Sequence, residues 1–150
     1  SIYDCFYDDY RNLTAFLHSH SYTGNPLGCR AALETLNIFR DDNVIENNIE
    51  LAHAMQTATS ELADHPNVAE IRQCGMILAI ELVKDRATRT EWPWQERRGL
   101  QVYRHALERG VLLRPLGNVI YFMPPYIITP DEIRLLAEVA RTGIDLAVRD

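Results

Sequence analysis

The residues best suited to bind a small anion lie in the polar stretch 19–25, directly before Pro26. Several hydroxyl groups and Gly24 stand there ahead of a predicted helix, whose first N–H groups and dipole favour a negative charge. Ser21 and the neighbouring backbone amides could therefore hold a phosphate group. A plain helix cap inside a surface loop is the alternative, and the spacing alone favours it.

Arg114 is a candidate for binding a carboxylate. It follows the apolar residues 111–113 and precedes Pro115, so we expect it to end a strand with its side chain held in one direction. The planar guanidinium group matches the two oxygens of a carboxylate. An ion pair with one of the 21 acidic residues is the alternative that the residue type alone favours. Tyr121 could line the same pocket, although core packing is the commoner role of a single aromatic residue in a strand.

His18 and His20 place two imidazole rings on one side of an extended chain, a spacing that a metal ion can use. No third ligand stands nearby, and the three cysteines are far apart, so we predict no metal site. The sequence also contains no Gly-x-Ser-x-Gly elbow, no Walker loop and no Gly-x-Gly-x-x-Gly fingerprint. These motif-based enzyme classes are therefore not indicated.

Two helices are predicted after the first 25 residues, which show no helical period. Pro26 suits the first turn of a helix, and the polar residues 40–43 end that helix. The residues 65–67 end the second helix. The apolar residues that define the two faces are Cys29, Ala32, Leu33 and Leu36 in the first helix, and Leu51, Met55, Ala58 and Leu62 in the second.

Four strands and two further helices are predicted downstream. The apolar runs 68–72 and 76–83 form a strand pair across a turn with Gly75, and the runs 111–114 and 119–123 form another. A polar surface loop spans 84–93. A helix over 96–109 ends at Gly110. The residues that we expect to point inward from this helix are Leu100, Tyr103, Ala106 and Leu107.

The last helix has the clearest start. Thr129, Pro130 and Glu132 supply an N-cap, a proline at the first helical position and the partner of a capping box. The element order is then helix, helix, strand, strand, helix, strand, strand, helix. This order predicts an α/β or α+β domain in which helices cover a small, mostly antiparallel sheet.

The composition excludes several classes of protein. The chain has 150 residues and a formal net charge of −6, which argues against nucleic acid as a partner because phosphate neutralisation needs clustered positive charge. No apolar run approaches the roughly 20 residues of a membrane span. Three separated cysteines are typical of a reducing cytoplasm. The first 25 residues are irregular in pattern and dense in aromatic residues, and we expect them to be the trailing end of something larger.

Four segments, taken in order, resemble a known family. They are His18-Ser19-His20-Ser21-Tyr22-Thr23-Gly24-Asn25-Pro26-Leu27, Gly75-Met76-Ile77-Leu78-Ala79-Ile80-Glu81-Leu82, Gly110-Val111-Leu112-Leu113-Arg114-Pro115 and Ile120-Tyr121-Phe122-Met123-Pro124-Pro125-Tyr126. The chain is similar to the C-terminal part of the class-III, fold-type-I pyridoxal-phosphate aminotransferases. The last two segments point to the members that aminate 8-amino-7-oxononanoate in biotin biosynthesis.

This resemblance implies a role for each candidate residue. Ser21 and His20 would bind the phosphate of pyridoxal 5′-phosphate held by the partner subunit of a homodimer. Ser19, Arg114 and Tyr121 would contact the keto-acid substrate, with Arg114 on its carboxylate. The amino donor, adenosylmethionine or lysine, stays open.

The family also needs a lysine that binds the cofactor covalently, and this chain does not match that motif. Its only lysine, Lys84, lies in the predicted surface loop. The resemblance therefore implies a C-terminal portion in which residues 1–25 come from the large-domain or active-site edge and residues 26–150 form the small domain. We expect this portion to carry no catalytic lysine and to be inactive alone. Two alternatives remain: another class-III aminotransferase acting on an ω-amine or amino acid, and a non-catalytic module used for dimerisation or ligand binding.

Overall fold

The computed structural model describes residues 1–149. The chain divides into two compact units, Ser1–Asp42 and Asn43–Asp150. In the first unit, short 3-10 turns at Tyr3–Phe6 and Tyr10–Asn12 precede an extended stretch. Helix α1, Pro26–Asp41, follows. The predicted start and end of α1 are confirmed, whereas the apolar stripe of this helix is exposed rather than buried. The expected division of the chain after residue 25 stays a prediction.

Between residues 43 and 149, the second unit contains three α-helices and four strands. They are α2 (Val44–Ala58), β1 (Val68–Cys74), β2 (Ile77–Leu82), α3 (Arg98–Leu107), β3 (Arg114–Leu116), β4 (Val119–Phe122) and α4 (Pro130–Ala147). Every neighbouring strand pair is antiparallel, and the sheet order is β1-β2-β4-β3. The predicted element order and fold class are confirmed.

The two faces of the sheet differ because successive side chains of a strand point to opposite sides. Leu78, Ile80 and Leu82 of β2 and Ile120 and Phe122 of β4 are buried. They form one apolar core with buried residues of the three helices: Met55, Val102, Ile133, Ala140 and Ile144. The opposite side, called here the open face, carries the alternate residues of each strand.

The third strand differs from its prediction. Residues 111–113 lie outside the sheet, and β3 begins at Arg114 instead of ending there. Val111 and Leu113 are buried in the core, which explains their apolar character without a strand. Pro115 is compatible with β3 because this strand lies at the edge of the sheet, where a missing N–H need not pair with a second neighbour.

The buried face of α3 is not the face that the sequence predicts. Only Ala106 of the four expected residues is buried, together with Gly99, Val102 and His105. Burial of the polar residue His105 is possible because its Nε2 lies 2.9 Å from Thr142 Oγ1 on α4. Burial lowers the pKa of His105, and the nearby Arg109 lowers it further, so the neutral ring is favoured in this contact.

Gly99 permits a close approach between α3 and the β3–β4 turn. A Cβ atom added at Gly99 would lie 2.5 Å from the carbonyl oxygen of Gly117. We expect Gly99→Ala to lower the free energy of unfolding by about 1–3 kcal/mol, measured by urea denaturation. Gly28→Ala is the control, because its nearest non-adjacent atoms are 3.9 Å away. Equal stability of Gly99→Ala and the unsubstituted protein would contradict the clash.

The start of α4 should respond to acid. Glu132 accepts hydrogen bonds from the backbone N–H and the hydroxyl of Thr129, both at 2.8 Å, and these bonds lower the pKa of Glu132 from its usual 4.5. The resulting stabilisation is present above pH 4.5 and is lost as the pH falls through the lowered pKa. The unsubstituted protein should therefore lose stability on acidification more steeply than Glu132→Gln, followed by thermal unfolding. Glu138→Gln on the same helix should behave like the unsubstituted protein, and parallel curves for all three would exclude the effect.

Candidate functional site

A tight turn at residues 20–23 presents Ser21. The N–H of Thr23 donates to the carbonyl oxygen of His20 at 2.9 Å, and the N–H of His20 donates to Thr23 Oγ1 at 2.9 Å. The His20 ring stacks on the Tyr22 ring, with centroids 5.1 Å apart and planes inclined by 6°. These contacts hold the backbone on both sides of Ser21, so the turn fixes where its hydroxyl can point.

The N-terminus of α1 is capped by its own asparagine. Asn25 Oδ1 accepts the N–H groups of Leu27 and Gly28 at 3.0 and 3.1 Å. The cap foreseen as the plain alternative is therefore present, and these two amides are engaged within the helix. An anion in this loop would depend on the preceding turn.

The turn keeps several donors available. Within residues 1–149, the hydroxyl and N–H of Ser21 and the N–H groups of Tyr22 and Gly24 have no hydrogen-bond partner. All three residues are exposed. One hydroxyl and three backbone amides form a donor set that fits a phosphate group, since its oxygens accept several charge-assisted hydrogen bonds.

The two histidines of this segment belong to a series of rings rather than to a ligand cluster. The His18 and His20 rings meet edge to face at 5.0 Å, and Phe16 stacks on His18 at 5.5 Å. In the described part of the chain, no group of three or more His, Cys, Asp or Glu residues could hold a metal ion. Ser19 stands between His18 and His20 in the sequence, within the extended segment, and is exposed.

Arg114 and Tyr121 are direct partners across β3 and β4 on the open face. The guanidinium carbon of Arg114 lies 5.5 Å from the centre of the Tyr121 ring, a cation–π contact. The ion pair considered as the alternative is not formed: no acidic residue between positions 1 and 149 pairs with Arg114. Tyr121 is half-buried and points away from the core, so its role is not core packing. Arg114 is exposed and can accept an external carboxylate.

The other charges of the open face form a cluster that the sequence did not single out. Arg72 Nη1 lies 3.1 Å from Glu70 Oε2 and 2.5 Å from Glu81 Oε2, and Arg89 also contacts Glu70 at 3.2 Å. These hydrogen bonds raise the pKa of Arg72. The spacing of Glu70 and Arg72 in a strand is the signal that could have indicated charges on a common face.

A cavity of about 610 Å³ lies in another part of the second unit, away from Arg114 and Tyr121. It is lined mainly by apolar residues between the end of β4 and the start of α4, including Leu112, Met123, Ile127 and Leu135. Arg114 and Tyr121 do not line it. The candidate site is therefore identified by the paired side chains of Arg114 and Tyr121 and not by the size of this cavity.

Lys84 lies in the loop after β2, as predicted. Its side chain is exposed, and its backbone N–H donates to the carbonyl oxygen of Thr90 at 2.8 Å. The loop is closed by a bridge between Asp85 and Thr90. None of the residues 1–149 forms a helix long and apolar enough to cross a membrane.

Comparison with known proteins gives a consistent result. The model of the family "Aminotransferase class-III" matches residues 7–142. The adenosylmethionine-8-amino-7-oxononanoate aminotransferase of Geobacter sulfurreducens is 44% identical over 137 residues, which are 91% of this chain and 30% of that protein. The chain thus spans about a third of the length of the curated relatives that it matches.

Solved structures agree with this match. The adenosylmethionine-8-amino-7-oxononanoate aminotransferase of Methanocaldococcus jannaschii superposes with a TM-score of 0.86 at 37% identity, over 97% of this chain and 33% of that one. An omega transaminase from Pseudomonas jessenii, in complex with PMP, gives 0.80 at 29% identity, over 91% and 30%.

The Tyr121 ring should restrain the Arg114 side chain. We expect Tyr121→Leu to increase the mobility of the Arg114 guanidinium group, because the cation–π contact is lost. Tyr121→Phe is the matched control, since it keeps the ring and removes only the hydroxyl. Side-chain ¹⁵Nε relaxation of Arg114 measures the effect. Equal relaxation in Tyr121→Leu and Tyr121→Phe would show that the ring does not hold the guanidinium group.

Proposed function

The chain belongs to the class-III aminotransferase family, and on this premise we propose that it is the C-terminal part of an enzyme that converts 8-amino-7-oxononanoate to 7,8-diaminononanoate in biotin biosynthesis. Two of the similar proteins are named adenosylmethionine-8-amino-7-oxononanoate aminotransferase. The observation in this chain that carries the proposal is Arg114, an exposed arginine held against Tyr121 and without an acidic partner among residues 1–149.

The proposed cofactor is pyridoxal 5′-phosphate, and Ser21 and His20 would hold its phosphate. Support comes from the hydroxyl and N–H of Ser21, which have no hydrogen-bond partner among residues 1–149, and from the P. jessenii relative in complex with PMP. The bound cofactor supplies an aldehyde that takes an amino group from a donor and passes it to a ketone. His20 contributes by fixing the turn through its stack with Tyr22 and its hydrogen bonds with Thr23.

Arg114 would bind the substrate carboxylate and thereby orient the ketone at the other end. A fixed guanidinium fork contributes orientation because two parallel hydrogen bonds define both the position and the plane of the carboxylate. Tyr121 keeps the guanidinium group in place through the cation–π contact. Ser19, next to the phosphate-binding turn, is proposed as a further substrate contact.

The reacting lysine is proposed to lie outside these 150 residues. Lys84 is exposed and stands in a charged loop, whereas a nucleophilic lysine is activated by desolvation in an apolar pocket. The chain alone is accordingly proposed to be inactive. In the whole protein, a homodimer would bring the Ser21 turn of one subunit to the cofactor of the other.

The proposed location is the cytoplasm. Cys5, Cys29 and Cys74 are exposed free thiols, a state that a reducing compartment maintains. No nucleic acid or membrane partner is proposed.

A second candidate is an aminotransferase that acts on ω-amines. The similarity to the omega transaminase of P. jessenii favours it. The two candidates differ in what Arg114 does, because an amine acceptor without a carboxylate would not need this residue.

Arg114→Ala in the full-length protein tests the proposal. We expect the KM for 8-amino-7-oxononanoate to rise about 10- to 100-fold, the loss of a hydrogen bond between charged groups, while the affinity for pyridoxal phosphate stays unchanged. Ser21→Ala should weaken cofactor binding, measured by absorbance titration. Arg134→Ala, which removes an exposed arginine of α4, is the charge-matched control. An unchanged KM in Arg114→Ala would favour the ω-amine candidate. A loss of cofactor affinity as large as the loss of substrate affinity in this variant would contradict the role assigned to Arg114.

A further inference from the structure

We propose that Glu70 and Glu81 set the substrate specificity of the open face by neutralising Arg72, so that the face binds monocarboxylates and rejects dicarboxylates. The inference rests on the proposed function, because it assumes that Arg114 binds the substrate carboxylate. It concerns residues that make no contact with Arg114 and determine where a second carboxylate could bind.

The strand register places the two arginines in one row. Arg72 of β1 pairs with Ala79 of β2, Ala79 pairs with Tyr121 of β4, and Tyr121 pairs with Arg114 of β3. Three strand spacings separate the arginines, about 14 Å between their backbones. Only the small side chain of Ala79 and the Tyr121 ring stand between them in this row, so an aliphatic chain can lie across the face.

The two arginines differ in their charge environment. Glu70 and Glu81 face each other directly across β1 and β2, a placement that is unfavourable for two like charges. Arg72 lies within hydrogen-bond distance of both carboxylates, at 3.1 and 2.5 Å, and relieves this repulsion. Arg89 supplies a further positive charge to Glu70 at 3.2 Å.

The balance of charge on this face follows. The cluster of Glu70, Glu81, Arg72 and Arg89 carries two negative and two positive charges, so its net charge is zero. Arg114 adds one positive charge that no acidic residue between 1 and 149 compensates. The face therefore offers one site for a carboxylate, although two arginines stand in the row.

Release of Arg72 should create the second site. In the double variant Glu70→Gln/Glu81→Gln, we expect the full-length protein to bind octanedioate about threefold to fivefold more tightly relative to octanoate than the unsubstituted protein does, the gain of one partly exposed ion pair. Isothermal titration calorimetry with these two probes measures the ratio. Glutamine keeps the size and the hydrogen-bonding capacity of glutamate, and circular dichroism verifies the fold.

Two controls isolate Arg72. Addition of Arg72→Gln to the double variant should abolish the gain in octanedioate binding. If the gain persists, it is due to Arg89 or to the net charge, and the proposal is overturned. Glu61→Gln/Glu138→Gln changes the net charge equally at exposed positions outside the sheet, and it should leave the ratio unchanged. A ratio that does not change in Glu70→Gln/Glu81→Gln also overturns the proposal.

The single variant Arg72→Gln gives the opposite result. It leaves Arg89 as the positive charge beside the two facing carboxylates. Octanoate should therefore bind more weakly than it does to the unsubstituted protein at low salt, and this difference should disappear at high salt, where charges on the surface are screened. Absence of this salt dependence would count against the neutralising role. Failure of the proposed function would be recognised by a different result. In that case Arg114→Gln would leave octanoate binding unchanged, independently of the results for the Arg72 variants.

Discussion

The antiparallel pairing of β2 with β4 is the constraint on which the second unit depends. It joins two strands that are separated by about 40 positions in the chain, and it brings both outer strands into one sheet. The register of this pair decides that Leu78, Ile80, Ile120 and Phe122 point into the core together. A shift by one residue would exchange the two faces and place Tyr121 in the core. Core burial therefore determines which side chains remain on the open face.

The local elements could be predicted from the sequence because their signals are local. The capping box at Thr129 and Glu132 is formed, Pro26 begins α1, and Gly110 adopts the positive φ expected after a helix end. The start of β3 could not be predicted in this way. Val111 and Leu113 are as apolar as strand residues, and only the assembled core shows that they are buried outside the sheet. The inward face of α3 was missed because a histidine is buried there, which depends on Thr142 of another helix.

The candidate site was likewise predicted from the sequence only in part. The residue types at Ser21 and Arg114 indicated phosphate and carboxylate binding, but the sequence favoured a helix cap and an internal ion pair. The structure contains the cap at Asn25, and within the described part of the chain Arg114 forms no ion pair. The sequence could not show which arginine the acidic residues of the open face would pair with. Glu70 and Glu81 both form ion pairs with Arg72.

The position of β3 at the edge of the sheet has a consequence for solubility. An exposed edge strand can pair with a strand of another molecule, and long, flat edges are the usual starting points of aggregation. β3 has only three residues, its central residue is Pro115, which has no N–H to donate, and its first residue carries a positive charge. The strand that carries Arg114, the candidate carboxylate-binding residue, is thus also poorly suited to pairing with a strand of another molecule.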